Sequence, residues 1–223
     1  MLKKLLMAFM ALTALTAFAM PASAVAANDP QLTHAGVLVP VGTKLIATNT
    51  GDTLFTTTGK AELVRCTKAV LTGTVLKNAG GTVEGTMSTA DFTGTAAGGK
   101  CKSSFGGDTA VKVSTPLCMR STPLMVNDEF QIYGDDCTGE NKPVTFTLET
   151  TNIGTCKYRA TPGGVKGHFT TSPEEAKGTV TNTQSGSGAE LEEGGFFCPS
   201  SGQLEMTFDL YTDTAAEESV TIS

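Results

Sequence analysis

The sequence predicts an all-β fold, an antiparallel β-sandwich or a barrel-like sheet, stapled by three disulfides. Three observations predict this class: short apolar runs that alternate with polar residues, turn-forming residues between those runs, and six cysteines in a chain that begins like an exported protein. Long runs with apolar residues at i, i+3, i+4 and i+7 are absent after the first residues, so a helical fold is not expected.

Alternation is clearest in two segments, residues 144–149 (VTFTLE) and residues 204–211 (LEMTFDLY). Neighbouring side chains of an extended chain point to opposite faces, so each segment has one buried and one solvated face. Glycine, asparagine and aspartate separate runs of this kind, for example at residues 49–52, 78–81 and 162–164. Many short strands at regular spacing favour a sandwich or barrel over alternating strands and helices.

Residues 1–24 are predicted to be a secretory signal peptide. Lys3 and Lys4 precede an uncharged apolar stretch over residues 5–19, and Ala-Ser-Ala at residues 22–24 suits signal peptidase. That stretch is shorter than the ~20 residues that a membrane-spanning helix needs. No later segment is apolar enough to cross a bilayer, so we expect a secreted chain without a transmembrane segment after signal cleavage.

The remainder is predicted to comprise a flexible N-terminal segment (25–38), a first β half (39–140), a second β half (141–214) and a polar tail (215–223). A weak internal duplication suggests that the halves are similar. Residues 83–89 (VEGTMST) resemble residues 165–171 (VKGHFTT), and each lies between two cysteines. Matches of this length also arise by chance in a chain rich in threonine and glycine, so duplication and coincidence both stay open.

The even number of cysteines in an exported chain predicts three disulfides. Zinc binding would require closely spaced cysteine or histidine pairs, and the sequence has no C-x-x-C. If the duplication is real, Cys66–Cys101 and Cys156–Cys198 are equivalent bridges, which leaves Cys118–Cys137. Without the duplication, six cysteines allow fifteen pairings.

Three strings carry a resemblance to known proteins. They are residues 39–49 (VPVGTKLIATN), residues 143–158 from PVTFTL to CKY, and residues 198–213 from CPSSG to TD. Together they resemble an uncharacterised group of small secreted bacterial proteins, mainly actinobacterial, that often occur as several paralogues. The resemblance covers nearly the whole chain after residue 24 and implies a secreted, disulfide-containing β fold. It implies no activity, ligand or site residues.

Charge excludes two classes of partner. The formal net charge is −6, and removal of the signal with its two lysines would change it to −8. An acidic chain without a basic cluster is a poor partner for nucleic acid or for an anionic membrane. The expected partner is an unidentified extracellular or cell-envelope ligand, and no cofactor is predicted.

Catalytic machinery is not recognisable. A hydrolase needs a nucleophile, a base and an oxyanion site, but G-x-S-x-G and S-x-x-K motifs are absent. Of the two histidines, His34 is expected in the flexible segment and His168 on an exposed strand face. The adjacent acids at residues 135–136 and 192–193 are expected to be solvated. We therefore predict no catalytic residue.

Two weaker features concern ligands. Asp135, Asp136 and Glu140 supply hard oxygens within a short segment, as Ca²⁺ prefers, although the spacing differs from an EF-hand loop and a polar turn explains it equally well. The pair Phe196 and Phe197 is the one place where an aromatic ring is expected to point outward, because neighbours on a strand alternate. Packing against the adjacent cysteine is the simpler explanation of that pair.

The sequence thus predicts a secreted, non-enzymatic β protein that acts as an extracellular or envelope-associated binding or structural module. One alternative is a secreted hydrolase of unfamiliar type, which would require His168 and the acids near residues 135–140 to meet in one pocket. Another is an adhesive or fibre-forming subunit, in which residues 25–38 add a strand to a neighbouring molecule.

Overall fold

The computed structural model describes residues 30–122, 129–161, 165–171, 176–180, 188–214 and 218–222. The predicted signal peptide lies outside the described residues, as do residues 25–29, 215–217 and 223 of the predicted terminal segments. Among the described residues, no helix has the length and apolar character needed to cross a membrane.

The described residues form strands and one short 3₁₀ turn at Ala97–Gly99. In chain order the strands are β1 Leu32–His34, β2 Val37–Leu38, β3 Lys44–Asn49, β4 Thr53–Thr56, β5 Glu62–Cys66, β6 Lys68–Ala79, β7 Thr82–Thr93, β8 Cys101–Ser103, β9 Asp108–Val113, β10 Leu117–Ser121, β11 Glu129–Tyr133, β12 Thr145–Thr150, β13 Gly154–Ala160, β14 Val165–Thr171, β15 Ala176–Val180, β16 Gly188–Glu193, β17 Ser201–Thr212 and β18 Thr221–Ile222.

Strands β3 to β17 form one closed wall of eight long runs. Seven runs consist of two consecutive strands each, which are β3–β4, β5–β6, β7–β8, β9–β10, β11–β12, β13–β14 and β15–β16. The eighth run is β17 by itself. Each run pairs antiparallel with the next in chain order. β17 closes the ring because it also pairs with β3 and β4. The predicted all-β, antiparallel, barrel-like fold is confirmed.

The predicted period of two agrees with the burial along the wall. In β12, every second residue from Phe146 to Thr150 is buried, and the intervening side chains are partly exposed. In β17, Met206, Phe208 and Leu210 are buried on the inner side. Branched and aromatic side chains suit such a half-buried pleated surface, which is why threonine-rich alternation produces wall strands here.

The inside of the barrel holds two apolar cores, one above the other. We call the part built by β3, β6, β7, β10, β11, β14, β15 and the end of β17 the lower half, and the part built by β4, β5, β8, β9, β12, β13, β16 and the start of β17 the upper half. In the lower half, the ring centre of Phe130 lies 4.6 Å from that of Phe169 and 5.9 Å from that of Phe208. In the upper half, Phe146 stacks on Tyr158 at 5.2 Å.

The disulfides are Cys66–Cys101, Cys118–Cys137 and Cys156–Cys198, the pairing that the duplication predicted. The first and third belong to the apolar core of the upper half. The second holds the loop between β11 and β12 against β10. Both halves of the sequence, residues 39–140 and 141–214, contribute strands to the upper and the lower half of the barrel.

A small three-stranded sheet caps the lower end. β1 pairs with β2 on one side and with β18 on the other. The buried side chains of Leu32, Val39, Val220 and Ile222 join the lower core. The buried Asn78 side chain accepts a hydrogen bond from the N–H of Leu32 at 2.8 Å and donates to the carbonyls of Leu32 (2.7 Å) and Val39 (2.9 Å).

The cap corrects two expectations. Residues 32–38 of the segment 25–38, expected to be flexible, form β1 and β2, and residues 218–222 of the predicted polar tail form the other edge of the cap. The physical reason is that the open end of a barrel exposes its core, and the apolar side chains of both segments cover it. Strands of two or three residues are too short for their alternation to stand out in the sequence.

Candidate functional site

An apolar cavity lies at mid-height, where the two halves of the barrel meet. It has a volume of about 50 Å³ and is lined by residues that flank the interruptions of the wall, including Val113, Leu117, Ala160 and Val165. Among the residues that the structure describes, none of the side chains lining it is polar. We call this space the middle cavity.

A second cavity of about 40 Å³ lies in the lower half. It shares Leu71, Ile132 and Met206 with the middle cavity, so the two spaces adjoin. Met87 and Met119 also line it. We call it the lower cavity. Methionine is flexible and polarisable, and a lining that contains three methionines can adjust to apolar molecules of different shape.

Size and polarity define what these cavities can hold. Their volumes, about 50 and 40 Å³, exceed the roughly 10–15 Å³ that one water molecule requires and are smaller than the roughly 150 Å³ of an engineered cavity that binds benzene. A buried water needs two to four polar partners, and the only polar side chains among the described lining residues are Thr74 and Thr86 of the lower cavity. The middle cavity therefore suits an uncharged, apolar molecule better than water.

Small side chains create the middle cavity. Ala90, Ala160 and Ala189 line it beside Phe55 and Phe146, and each alanine leaves a space that a larger residue would fill. Neither cavity was predictable from the sequence. The alternation marks which side chains face inward, but the free space depends on how large and small residues combine across eight strands, which requires the register.

Comparison with known proteins adds no identification: no family model, no curated protein and no solved structure matches the chain. Its function is therefore inferred from the geometry of the molecule itself.

The calcium candidates lie in the loop between β11 and β12. The buried Asp135 carboxylate accepts hydrogen bonds from the backbone N–H groups of Cys137 at 2.9 Å and Lys142 at 3.3 Å. Glu140 forms an ion pair with the Lys142 side chain. Within the described part of the chain, Asp135, Asp136 and Glu140 do not form a group whose oxygens all lie within 4.8 Å of one another. Asp135 holds the loop in shape, and calcium binding stays a prediction.

One cluster of possible metal ligands occurs among the described residues, formed by Glu84, Cys118 and Cys137. The two cysteines are disulfide-bonded, so their sulfurs are not the thiolates that metals bind. Glu84 instead pairs with Arg120, whose Nε lies 2.6 Å from its Oε2. This cluster stabilises the outer face of the lower half.

The histidines occupy different elements. His34 lies on β1, where its Nδ1 is 2.9 Å from the carbonyl oxygen of Ser219 and its Nε2 is 3.2 Å from the Glu218 carboxylate. His168 lies on β14, opposite Glu129 of β11. In the described residues, neither histidine belongs to a cluster of three or more His, Cys, Asp or Glu side chains. The structure does not gather His168 with the acids at residues 135–140.

Tyr158 is the buried titratable group of the upper core. Its side chain is 1% exposed, and its hydroxyl donates a hydrogen bond to the carbonyl of Pro199 at 3.1 Å. Burial raises the pKa of Tyr158 to about 12, because the charged phenolate would lose its hydration. The hydroxyl therefore remains protonated at neutral pH and supplies a hydrogen bond instead of a base.

This pKa predicts a pH dependence of stability. In the unfolded chain the phenol ionises near pH 10, whereas in the folded protein it ionises near pH 12. Folding is then favoured by the neutral form below pH 10, and that contribution is lost as the pH rises from 10 to 12. We expect the free energy of unfolding to fall by about 2 kcal/mol over this window in excess of the fall seen in Tyr158→Phe. Parallel urea titrations of both proteins measure it, and identical pH profiles would contradict the assignment.

Proposed function

We propose that the protein is a secreted, non-enzymatic binding protein that holds a small apolar molecule inside its barrel. The observation that carries this proposal is the middle cavity, a space of about 50 Å³ with no polar side chain among its described lining residues. The adjoining lower cavity, of about 40 Å³, extends this apolar space.

Extracellular action is part of the same proposal. Three disulfides support it, because such bridges form and persist in oxidising compartments. Signal cleavage after residue 24 and membership in the group of small secreted bacterial proteins remain proposals with it. The partner is then a lipid-like or aromatic molecule of the extracellular medium or cell envelope.

The alternatives receive less support from the geometry. The described cavity linings offer no nucleophile paired with a base, and His168 and Asp135 lie on separate elements, which gives a hydrolase no assembled site. A fibre-forming role through strand addition would need residues 25–38 to be released, yet Leu32 is buried in the cap of its own molecule.

A cavity-filling substitution tests the proposal. Ala160 is 3% exposed and lines the middle cavity. We expect Ala160→Leu to weaken binding of the small apolar fluorophore naphthalene at least about tenfold, since the new side chain occupies the same space. We also expect the ligand-free variant to gain about 1 kcal/mol of stability by filling the void. Fluorescence titration and chemical denaturation measure the two effects.

Ala79→Leu is the matched control, because Ala79 lies at the exposed end of β6 and faces no cavity. This variant should bind the fluorophore as the unaltered protein does. Absence of saturable binding by the unaltered protein, or equal loss in both variants, would refute a ligand site in the middle cavity.

A further inference from the structure

Three phenylalanine side chains are exposed at the upper end of the barrel. Phe105 lies in the loop between β8 and β9 and is 53% exposed, while Phe196 and Phe197 lie between β16 and β17 and are 98% and 68% exposed. Phe105 and Phe197 border the same small, mainly apolar recess, and the ring centres of Phe196 and Phe197 are 5.6 Å apart. These three residues are called the phenylalanine tip.

The connections that carry the phenylalanine tip contain almost no charge, although Glu62, Asp108 and Glu193 follow or precede them directly. Four connections form the upper end, residues 57–61, 104–107, 151–153 and 194–200. Lys60 is the only charged residue in these segments, although charged residues make up 17% of the chain. Exposed phenylalanine in uncharged surroundings is unfavourable in water unless another phase or partner covers it.

The loop that carries Phe196 and Phe197 is anchored to the barrel. The disulfide Cys156–Cys198 and the hydrogen bond from Tyr158 to Pro199 fix its C-terminal side. Gly194 is required there, because a Cβ at this position would lie 2.5 Å from the Cys198 sulfur. Fixing the backbone while the two rings point into solvent indicates that exposure of the rings is built into the loop.

The neighbouring connection is fixed as well. The side chain of Asn152 donates a hydrogen bond to the carbonyl of Gly106 at 2.8 Å, which joins the loops at 104–107 and 151–153. The Ser104 hydroxyl donates to the carbonyl of Glu62 at 2.6 Å and ties the same loop to β5. The ring of Phe105 is therefore presented on a supported turn, at the same end as the other two rings.

We propose that the phenylalanine tip inserts into the interfacial layer of a zwitterionic lipid bilayer. Apolar side chains that enter this layer are stabilised by burial at the boundary between the headgroups and the acyl chains. A site for anionic lipid would also have basic residues around these side chains. Lys60 is the single basic residue in the connections that carry the phenylalanine tip, and the chain has a net charge of −6. Neutral headgroups are therefore favoured over anionic ones. The site is independent of the middle cavity.

Sedimentation with phosphatidylcholine vesicles tests the proposal on the oxidised protein without residues 1–24, because the apolar stretch at residues 5–19 would itself bind lipid. We expect the unaltered protein to pellet with the vesicles and its partition coefficient to change less than about twofold between low and high salt. Addition of phosphatidylglycerol to the vesicles should weaken binding. The double variant Phe196→Ser/Phe197→Ser should lose at least about tenfold in partition coefficient, because the apolar area that enters the lipid is removed.

Val37→Ser/Val41→Ser is the control, since these valines are 69% and 65% exposed outside the upper end. It should bind vesicles normally, as should Ala160→Leu, which separates lipid binding from ligand uptake. Thermal unfolding confirms that each variant is folded. The proposal is overturned if the unaltered protein does not pellet, or if both double variants lose binding equally. A concentration-dependent dimer that requires Phe196 and Phe197, without vesicle binding, would also overturn it and indicate a protein partner.

Discussion

Replacing both cysteines of the Cys66–Cys101 bridge by alanine is expected to lower the free energy of unfolding by about 4 kcal/mol. The bridge joins residues 35 apart, and its loss restores conformational freedom to that loop in the unfolded chain. Both cysteines are fully buried in the core of the upper half, so their truncation also leaves a void beside Phe55 and Val64.

The matched variant is Cys118→Ala/Cys137→Ala. This bridge closes a loop of 19 residues and ties the loop between β11 and β12 to the outside of the wall, so the expected loss is about 3 kcal/mol. Guanidinium denaturation of the oxidised proteins compares the two. A loss below about 1 kcal/mol for Cys66→Ala/Cys101→Ala would show that the upper half gains little from its covalent link.

Asn78→Ala is expected to destabilise the protein by about 2–4 kcal/mol, because the buried Leu32 N–H and Val39 carbonyl lose their bonds to the Asn78 side chain. The Leu32 carbonyl also loses its bond to Asn78 but still accepts from the N–H of Val39 at 2.9 Å. The first two groups are buried beneath the cap, so each loses a hydrogen bond that it keeps in the unfolded chain. Detachment of the cap would let these backbone groups bind water, but it would expose the lower core.

Asn49→Ala is a suitable comparison. Asn49 also hydrogen-bonds the backbone, accepting from the N–H of Ala69 at 2.7 Å and donating to the exposed carbonyls of Gly51 and Thr67, but its side chain is only partly buried. Its replacement should cost about 1 kcal/mol or less. Denaturation gives both values, and amide hydrogen exchange at Leu32 reports whether the cap has opened. Equal losses in the two variants would mean that the cap does not depend on Asn78.

The local sequence pattern predicted the wall strands of the barrel better than the short strands that cap its lower end. The alternation in residues 144–149 and 204–211 corresponds to β12 and β17, because an amphipathic strand carries its burial pattern in its own sequence. The repeat around residues 83–89 and 165–171 predicted the disulfide pairs, since the two segments lie on β7 and β14, each between bridged cysteines.

Long-range geometry was not predictable in this way. The cap brings the hydroxyls of Thr33 and Thr221 to 2.7 Å across 188 residues, and no local signal marks such a pairing. Register shifts in the pairing of β6 with β7, between Thr72 and Gly73 and between Val75 and Lys77, change which side chains face inward. The sequence predicted that one ring of the pair Phe196 and Phe197 would point outward and favoured packing against the adjacent cysteine, but both rings are exposed because the pair lies in a turn and not on an extended strand.

Closure of the wall by β17 has a consequence for how the protein reaches its native state. β17 follows every other wall strand in the sequence, yet it is the partner of β3, β4, β15 and β16. Before it is synthesised and delivered, the growing sheet has two open edges that can pair with another copy and aggregate. Such non-local closure makes folding slow. Production of the native protein should therefore depend on keeping the emerging chain dilute or chaperoned until its final long strand arrives.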